Sequence, residues 1–438
     1  MPETAYVVFG LGNGDEGKGT NVEFLARKYG AATVVRYLGG SQPAHNVISP
    51  EGVHHCSAQF SSGVLVNGVR TFLSRFVLVD PIDLLVERNI LRVKLGIDPF
   101  YNLTIDERCP VITPYHKYLN QIKEIDRGES RHGSCGKGVG EAAGDLVQMG
   151  QQMLFIRDLR DEKICRQKVN FIRQMKLDLA EQLCQGKKKN LLYRKYLGRM
   201  RSDSYLSAVV GNYIHFAKYF CQECGLKITD DPEILKGFFK NGPVIFEGAQ
   251  GVLLDQKFGF APYITRANTT TANADQLLEE INFPKDQIQK IGVLRPYATR
   301  HGAGPLVTED PDLTKKIPDL HNGVGEWQGA FRIGWFDMVM ARYALEVSGP
   351  IDYLSITNFD RIREWPTVKV ADSYSVDGQT LRRLDPAIKN KAELLSRCQP
   401  NYSIVDPRYI LNLIAAKLKT PIGICSLGPT ATDKIMMR

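Results

Sequence analysis

Short apolar runs and amphipathic stretches alternate along the whole chain. The run AYVVF at 5–9 is continuously apolar and ends in glycines, the pattern of a strand buried on both faces of a parallel sheet. Residues 21–29 follow with helical spacing. Residues 34–37 (VVRY) and 77–79 (VLV) predict a second and a third strand, and 81–94 a helix. Further on, 166–185 sets Ile172, Met175, Leu179 and Leu183 on one helical face, and 205–220 turns Leu206, Val209, Val210 and Tyr213 inward. Apolar runs at 244–246, 291–294, 353–356 and 422–425 predict further buried strands. Strands dispersed among helices over the full length predict an α/β fold, a large and mostly parallel central sheet covered by helices. No repeat or low-complexity linker interrupts the pattern. Residues 1–438 therefore read as a single domain with an inserted helical lobe at about 150–240.

Composition narrows the class. An apolar fraction of 43% over 438 residues supplies a sizeable core and excludes wholesale disorder. No apolar run reaches the roughly 18 residues that cross a bilayer. The opening Met-Pro-Glu-Thr lacks the basic region of a secretory signal, so the expectation is a cytoplasmic protein with no membrane partner. Nine scattered cysteines do not make a disulfide framework. Cys221 and Cys224 form a CxxC inside a helical pattern with no second pair behind it, which reads as two ordinary helix cysteines rather than a metal or redox site. The net charge is +8, yet Lys187, Lys188, Lys189, Arg194, Lys195, Arg199 and Arg201 carry all but one of the surplus charges. No nucleic-acid motif accompanies them, so no nucleic-acid partner is expected. The segment reads as a solvated helical hairpin, with an anion-binding rim or docking surface as the sharper alternative.

The densest chemistry follows the first strand. GLGNGDEGKGT at 10–20 fits seven positions of the phosphate-loop pattern GxxxxGK[ST], with Gly19 where the hydroxyl belongs and a carboxylate, Asp15, inside the loop. Glycines let backbone N–H groups approach phosphate oxygens, the helix N-terminus adds positive potential, and Lys18 neutralises charge. Asp15 is placed to bind a metal or move a proton. After the second strand, a glycine-rich stretch ending in Ala44-His45-Asn46 brings a histidine to the same end of the sheet, where loops at strand C-termini converge. Loops at 133–140, 246–255, 263–271 and 358–360 add further glycines, the carboxylate Glu247, the amide Gln250, hydroxyls and Asp360. Asp360 suits a purine reader, since one carboxylate accepts from both N1–H and the N2 amine of guanine.

These motifs together resemble the adenylosuccinate synthetase family. The matches are GDEGKG (14–19), RYxGG (36–40) with His45, CPVITPYHK (109–117), GxGxG (136–140), FEGAQGxLLD (246–255), PYxTxxNTT (262–270), YxTRxGAGP (297–305), GWxD (334–337) and GP (428–429), collinear over nearly the whole chain. The resemblance implies a GTP- and Mg²⁺-dependent C–N ligase of AMP synthesis and a homodimer. It casts Asp15 as base and metal ligand, His45 as helper of phosphoryl transfer onto the purine oxygen, and Lys18 as the catalytic lysine. Gly14, Glu16, Gly17, Gly19 and Thr20 would hold the GTP phosphates, with Asn358, Asp360, Ser426 and Gly428 at the base. Gln42, Cys135, Gln250 and Thr265 would contact IMP, and the Ala44 carbonyl would join Asp15 on Mg²⁺. Gly325, Gln328 and Arg332 would form the loop that takes L-aspartate.

The chain departs from the family pattern at defined places. Gln42 replaces an asparagine, Ala44 a glycine, Cys135 a threonine and Asn358 a lysine, and no arginine stands near Met149 where the family's partner subunit lends one. Arg266 is the expected substitute at the IMP phosphate. The loop GEWQGAFRIGW at 325–335 is short, keeps the single arginine Arg332, and carries Glu326, which repels a dicarboxylate. The same phosphoryl chemistry with another amine or a modified purine nucleotide is therefore an alternative, as is a nucleotide-binding regulator without turnover.

Overall fold

Strand β1 (Ala5–Gly10) is buried along its entire length and forms the middle of the sheet. The other strands are β2 (Thr33–Arg36), β3 (Arg70–Leu73), β4 (Leu103–Asp106), β5 (Lys227–Thr229), β6 (Val244–Glu247), β7 (Ile288–Leu294), β8 (Tyr353–Ile356), β9 (Ile422–Ser426) and β10 (Lys434–Met436). Their order across the sheet is β10-β9-β8-β7-β1-β6-β2-β3-β4-β5, parallel throughout except for the antiparallel edge pair β9–β10. The computed structural model describes residues 3–437 apart from Pro43, 129–131, 187–189, Leu320, Val324 and Glu326. Ala5 of β1 is in register with Val244 of β6 and with Ile288 of β7. The fold class is that expected: continuous apolar runs pair in parallel because helices cover both faces.

Helix α1 (Lys18–Tyr29) starts from Gly17 at φ 89° and ends at Gly30, also left-handed. The third strand differs from the expectation. It is Arg70–Leu73, and the apolar run 77–79 is an extended buried connection with one bridge, Val79 to Val111. That connection leads into α2 (Pro81–Leu95), whose first turn is capped by Asp80 Oδ1 accepting from Ile82 and Asp83 N–H, both at 3.1 Å.

Between β4 and β5 the chain inserts α3 (Pro114–Arg127), α4 (Val139–Met149), α5 (Glu162–Leu183), α6 (Leu191–Arg201) and α7 (Asp203–Glu223). The edge strand β5 falls inside the range of about 150–240 that the sequence suggested for the inserted helical lobe. The inward face of α7 is as expected, with Leu206, Val209, Val210 and Tyr213 buried. In α5 the buried stripe is Cys165, Val169, Ile172, Arg173, Lys176, Leu177 and Ala180, while Leu179 is 43% exposed. The apolar pattern misses this face because two of its members are charged, each with a carboxylate partner. Arg173 Nη1 meets Asp203 Oδ1 at 2.7 Å, and Lys176 pairs with Asp145. Asp145 also accepts from His116 Nε2 at 3.0 Å, which ties α3, α4 and α5 together.

Cys224 caps α7 and its sulfur accepts from Arg88 Nη2 at 3.3 Å; no metal-binding cluster of three His, Cys, Asp or Glu occurs among the described residues. In the basic segment, Arg201 pairs with Glu181 at 2.8 Å and Arg199 donates to the Tyr118 hydroxyl at 3.1 Å, while 187–189 lie outside the described residues. No helix among the described residues is long and apolar enough to cross a membrane.

Candidate active site

The loops that leave the C-terminal ends of β1, β2, β6, β7, β8 and β9 surround one cavity of about 870 Å³. This is the position at which open parallel sheets bind ligands. Its wall contains Gly14, Asp15, Gly17, Lys18, Gly19 and Thr20 from the first loop, and Gln42, Ala44 and His45 from the second. Cys135, Gln250, Thr265, Arg266 and Gln328 line it further round, and Asn358, Asp360, Ser426 and Gly428 close the far end.

Three of the site residues expected from the sequence are not in that wall. Glu16 is turned into the loop itself. One carboxylate oxygen accepts from Gly12 N–H at 3.0 Å and Gly14 N–H at 2.7 Å, and the other pairs with Lys18 Nζ at 2.7 Å. The loop is shaped around this buried carboxylate: a Cβ on Gly12 would sit 2.8 Å from Glu16 Oε1, and one on Gly251 would lie 2.6 Å from the same atom. Lys18 is thus neutralised from inside. The loop carries one cation against the carboxylates of Asp15 and Glu16, so its attraction for phosphate comes from backbone N–H groups and from charges outside it.

Arg332 and Gly325 are the other two. Arg332 donates to the Gly302 carbonyl (2.8 and 3.1 Å) and the Gly304 carbonyl (2.7 Å), and pairs with Glu309 at 2.5 Å. Its guanidinium is consumed in holding the 302–304 turn and does not face the cavity. Gly325 exchanges backbone hydrogen bonds with Gly329, at 2.9 and 3.1 Å. Glu326, which the sequence reading placed as a repelling charge, lies outside the described residues.

His45 is built for a defined proton arrangement. Its Nδ1 lies 2.7 Å from Glu247 Oε1, and Glu247 also accepts from Ser62 N–H (2.9 Å) and the Ser62 hydroxyl (2.5 Å). Burial works against the Glu247 carboxylate, but Arg36, His45 and Ser62 hold its pKa down to about 2. An ionised carboxylate only accepts, so His45 donates from Nδ1 and presents Nε2 as a lone pair. Burial lowers the His45 pKa below its ordinary value despite the pull of Glu247, which keeps the ring neutral. Glu247 was visible in the sequence as a carboxylate after a strand, but only the fold reveals that it orients His45.

Asp15 stands in the left-handed region at φ 61°, and its carboxylate takes no hydrogen bond among the described residues. Burial raises its pKa above the ordinary carboxylate range, while Arg295, Lys18 and His301 pull the other way. Gln250 (φ 60°) and Asn358 (φ 56°) share this conformation and also line the cavity. Non-glycine residues held there mark functional sites more often than loops chosen at random. Both amide atoms of Gln42, Gln250 Oε1 and Ser426 Oγ are buried without a partner among the described residues. Such atoms are costly unless a ligand satisfies them.

Among the arginines of the wall that the sequence reading did not single out are Arg295 and Arg300. Arg295 pairs with Asp319 at 3.1 Å, and Arg300 is 2% exposed. Their signal was position: Arg295 directly follows β7, and Arg300 lies in the YxTRxGAGP motif.

Comparison with known proteins identifies the family. The adenylosuccinate synthetase family profile matches residues 7–409. The adenylosuccinate synthetase of Acetivibrio thermocellus is 31% identical over 404 residues, 91% of this chain and 87% of that protein. That of Carboxydothermus hydrogenoformans is 32% identical over 405 residues, covering 91% and 86%. Among solved structures, the fully ligated adenylosuccinate synthetase of Plasmodium falciparum superposes with a TM-score of 0.81 over 100% of both chains at 18% identity. The succinoaminodeoxyadenylate synthetase of cyanophage S-2L, bound to dGMP and dATP, gives 0.59 at 15% identity, covering 99% of this chain and 95% of that one. The chain belongs to the adenylosuccinate synthetase family.

Proposed function

We propose that this protein uses GTP to phosphorylate the 6-oxygen of IMP and then joins L-aspartate at C6, forming adenylosuccinate on the route to AMP. The observation that carries the reading is the meeting of an unpartnered Asp15, a neutral His45 oriented by Glu247, and the phosphate loop in one cavity. Asp15 accepts the N1 proton, so the 6-oxygen gains charge and attacks the γ-phosphorus. The O6–P bond forms as the bond to the β-phosphate oxygen breaks. The aspartate amine then adds at C6 and inorganic phosphate leaves. An amide-like oxygen is a poor leaving group until phosphorylated, so the protein chiefly has to position the groups and neutralise charge.

Mg²⁺ fits the donors available. A free carboxylate on Asp15 and the carbonyl of the exposed Ala44, which accepts from Asn46 Nδ2 at 3.3 Å, are hard oxygens, and Mg²⁺ is commonly held by one or two carboxylates together with substrate phosphates. When bound it neutralises charge on the transferring phosphoryl group. Asp360 reads guanine; burial raises its pKa, consistent with a carboxylate set in a base pocket. The protein is read as one cytoplasmic domain acting as a homodimer.

The test is phosphate release with IMP, GTP and Mg²⁺, with L-aspartate present, omitted or replaced. Release that depends on aspartate is expected. Release indifferent to aspartate that rises with another amine sinks the named product and keeps the phosphoryl chemistry. No release with any amine, with normal nucleotide binding, leaves a regulator.

Arg266 has no carboxylate within ion-pair distance among the described residues; its Nη1 lies 3.4 Å from the Gly140 carbonyl, beside the glycine-rich loop. It is assigned to the IMP phosphate. Arg266→Ala is expected to weaken IMP binding by at least tenfold in calorimetric titration, with GTP affinity within threefold. Undiminished IMP binding removes Arg266 from the site.

A further inference from the structure

The short strand Ala298–His301 runs antiparallel to Phe331–Gly334, and its register sets Arg300 directly opposite Arg332. Like charges opposite one another in a ladder repel, and the two side chains resolve the conflict differently. Arg332 is compensated by Glu309. Arg300 has only neutral acceptors: Nε donates to the Ala303 carbonyl (2.8 Å), Nη1 to Asn13 Oδ1 (2.7 Å) and Nη2 to the Tyr263 carbonyl (3.1 Å). No carboxylate lies within 4.0 Å of it among the described residues. A guanidinium has five N–H donors, so one hydrogen on each terminal nitrogen remains to be matched. Burial, with Arg332 adding to it, lowers the Arg300 pKa to about 10, which is the mark of a charge lacking a counter-ion.

Its place in the cavity narrows what would match it. Arg295 and Arg127, also in the wall, are paired with Asp319 and Glu124. Arg361 donates to the Pro318 carbonyl beside Asp360, at the base end. Arg300 instead grips Asn13, two residues before Asp15, and so faces the middle of the cavity where the reaction takes place. Its uncompensated charge calls for an anion, and the ligase reading supplies one in the carboxylates of the amine-bearing substrate.

We propose that Arg300 binds a carboxylate of the amine-bearing substrate through its two remaining N–H groups, the role the sequence assigned to Arg332. A planar fork meeting a carboxylate in a buried wall is a strong and selective contact. A neutral amide in the same position leaves the guanidinium uncompensated, so the site distinguishes an acid from its amide.

The proposal rests on the ligase reading, and kinetics separates the two. Phosphate release is measured for the wild-type protein and for Arg300→Lys with L-aspartate, L-asparagine and L-isoasparagine as amines. The wild type is expected to lose at least tenfold in kcat/KM on one of the two amides. In Arg300→Lys the aspartate KM rises at least tenfold, KM for GTP and IMP stays within threefold, and the preference for acid over amide shrinks. Wild-type protein that uses both amides as well as aspartate overturns the assignment without recourse to a variant. So does an Arg300→Lys protein with an unchanged aspartate KM, or one in which all three KM values rise together as from a structural role. A wild type that releases no phosphate with any amine overturns the ligase reading, and this proposal with it.

Discussion

Asp15→Asn lowers single-turnover phosphate release by about a thousandfold, the middle of the range for a positioned general base, while IMP and GTP still bind in calorimetric titration. The substitution preserves shape and removes only the ability to take a proton. Its neighbours sharpen the expectation. Of the cations that act on it, Lys18 is already paired with Glu16 and Arg295 with Asp319, so neither is free to stabilise a proton-free purine in its stead. The same residue sets the acid limb of the pH profile. Asp15 must be ionised to act, so activity falls as pH drops through its pKa. Because burial lifts that pKa above the ordinary 3.8, the limb lies at higher pH than that of an exposed aspartate. It disappears in the asparagine variant. Release within tenfold of wild type, with the limb unmoved, would falsify the base assignment.

Glu16→Ala has the largest expected effect on stability. The substitution removes the acceptor for Gly12 and Gly14 N–H and leaves Lys18, 3% exposed, as an unpaired buried charge. Breaking a buried pair from one side costs about 3–5 kcal/mol, whereas replacing both partners by neutral groups costs far less. The urea midpoint should therefore fall sharply in Glu16→Ala and recover in large part in a Glu16→Gln, Lys18→Met double variant. GTP binding should be lost in Glu16→Ala, which lacks the loop shape. A midpoint unchanged in Glu16→Ala would show that the carboxylate does not organise the loop.

The sheet was legible because its central strands are continuous apolar runs, and β1, β2, β6, β7, β8 and β9 each lie within a few residues of their expected positions. Strand β3 was not, since Arg70-Thr71-Phe72-Leu73 is half polar, whereas the buried run 77–79 that was read as a strand is a connection. The α5 face was misread for the same reason: Arg173 and Lys176 are buried by virtue of partners distant in sequence. In the site, most of the residues named by motif line the cavity. The errors concern long charged side chains. For Glu16 in its loop, and for Arg300 and Arg332 in their short strand pair, the sequence fixes the charge, but whether it points into the cavity depends on Lys18, Asn13 and Glu309, which only the fold sets in place.

The central position of β1 also bears on the order of assembly. Its two neighbours begin at Val244 and Ile288, so after β1 leaves the ribosome it cannot be paired on either edge until roughly 240 further residues have been made. At ~5–20 residues per second that interval lasts on the order of ten seconds to a minute. Throughout it an apolar strand with two open edges is exposed, and the phosphate loop that follows it has no scaffold. Nascent chains of this protein are thus expected to engage holding chaperones early, and truncations ending before β7 to aggregate rather than retain partial nucleotide binding.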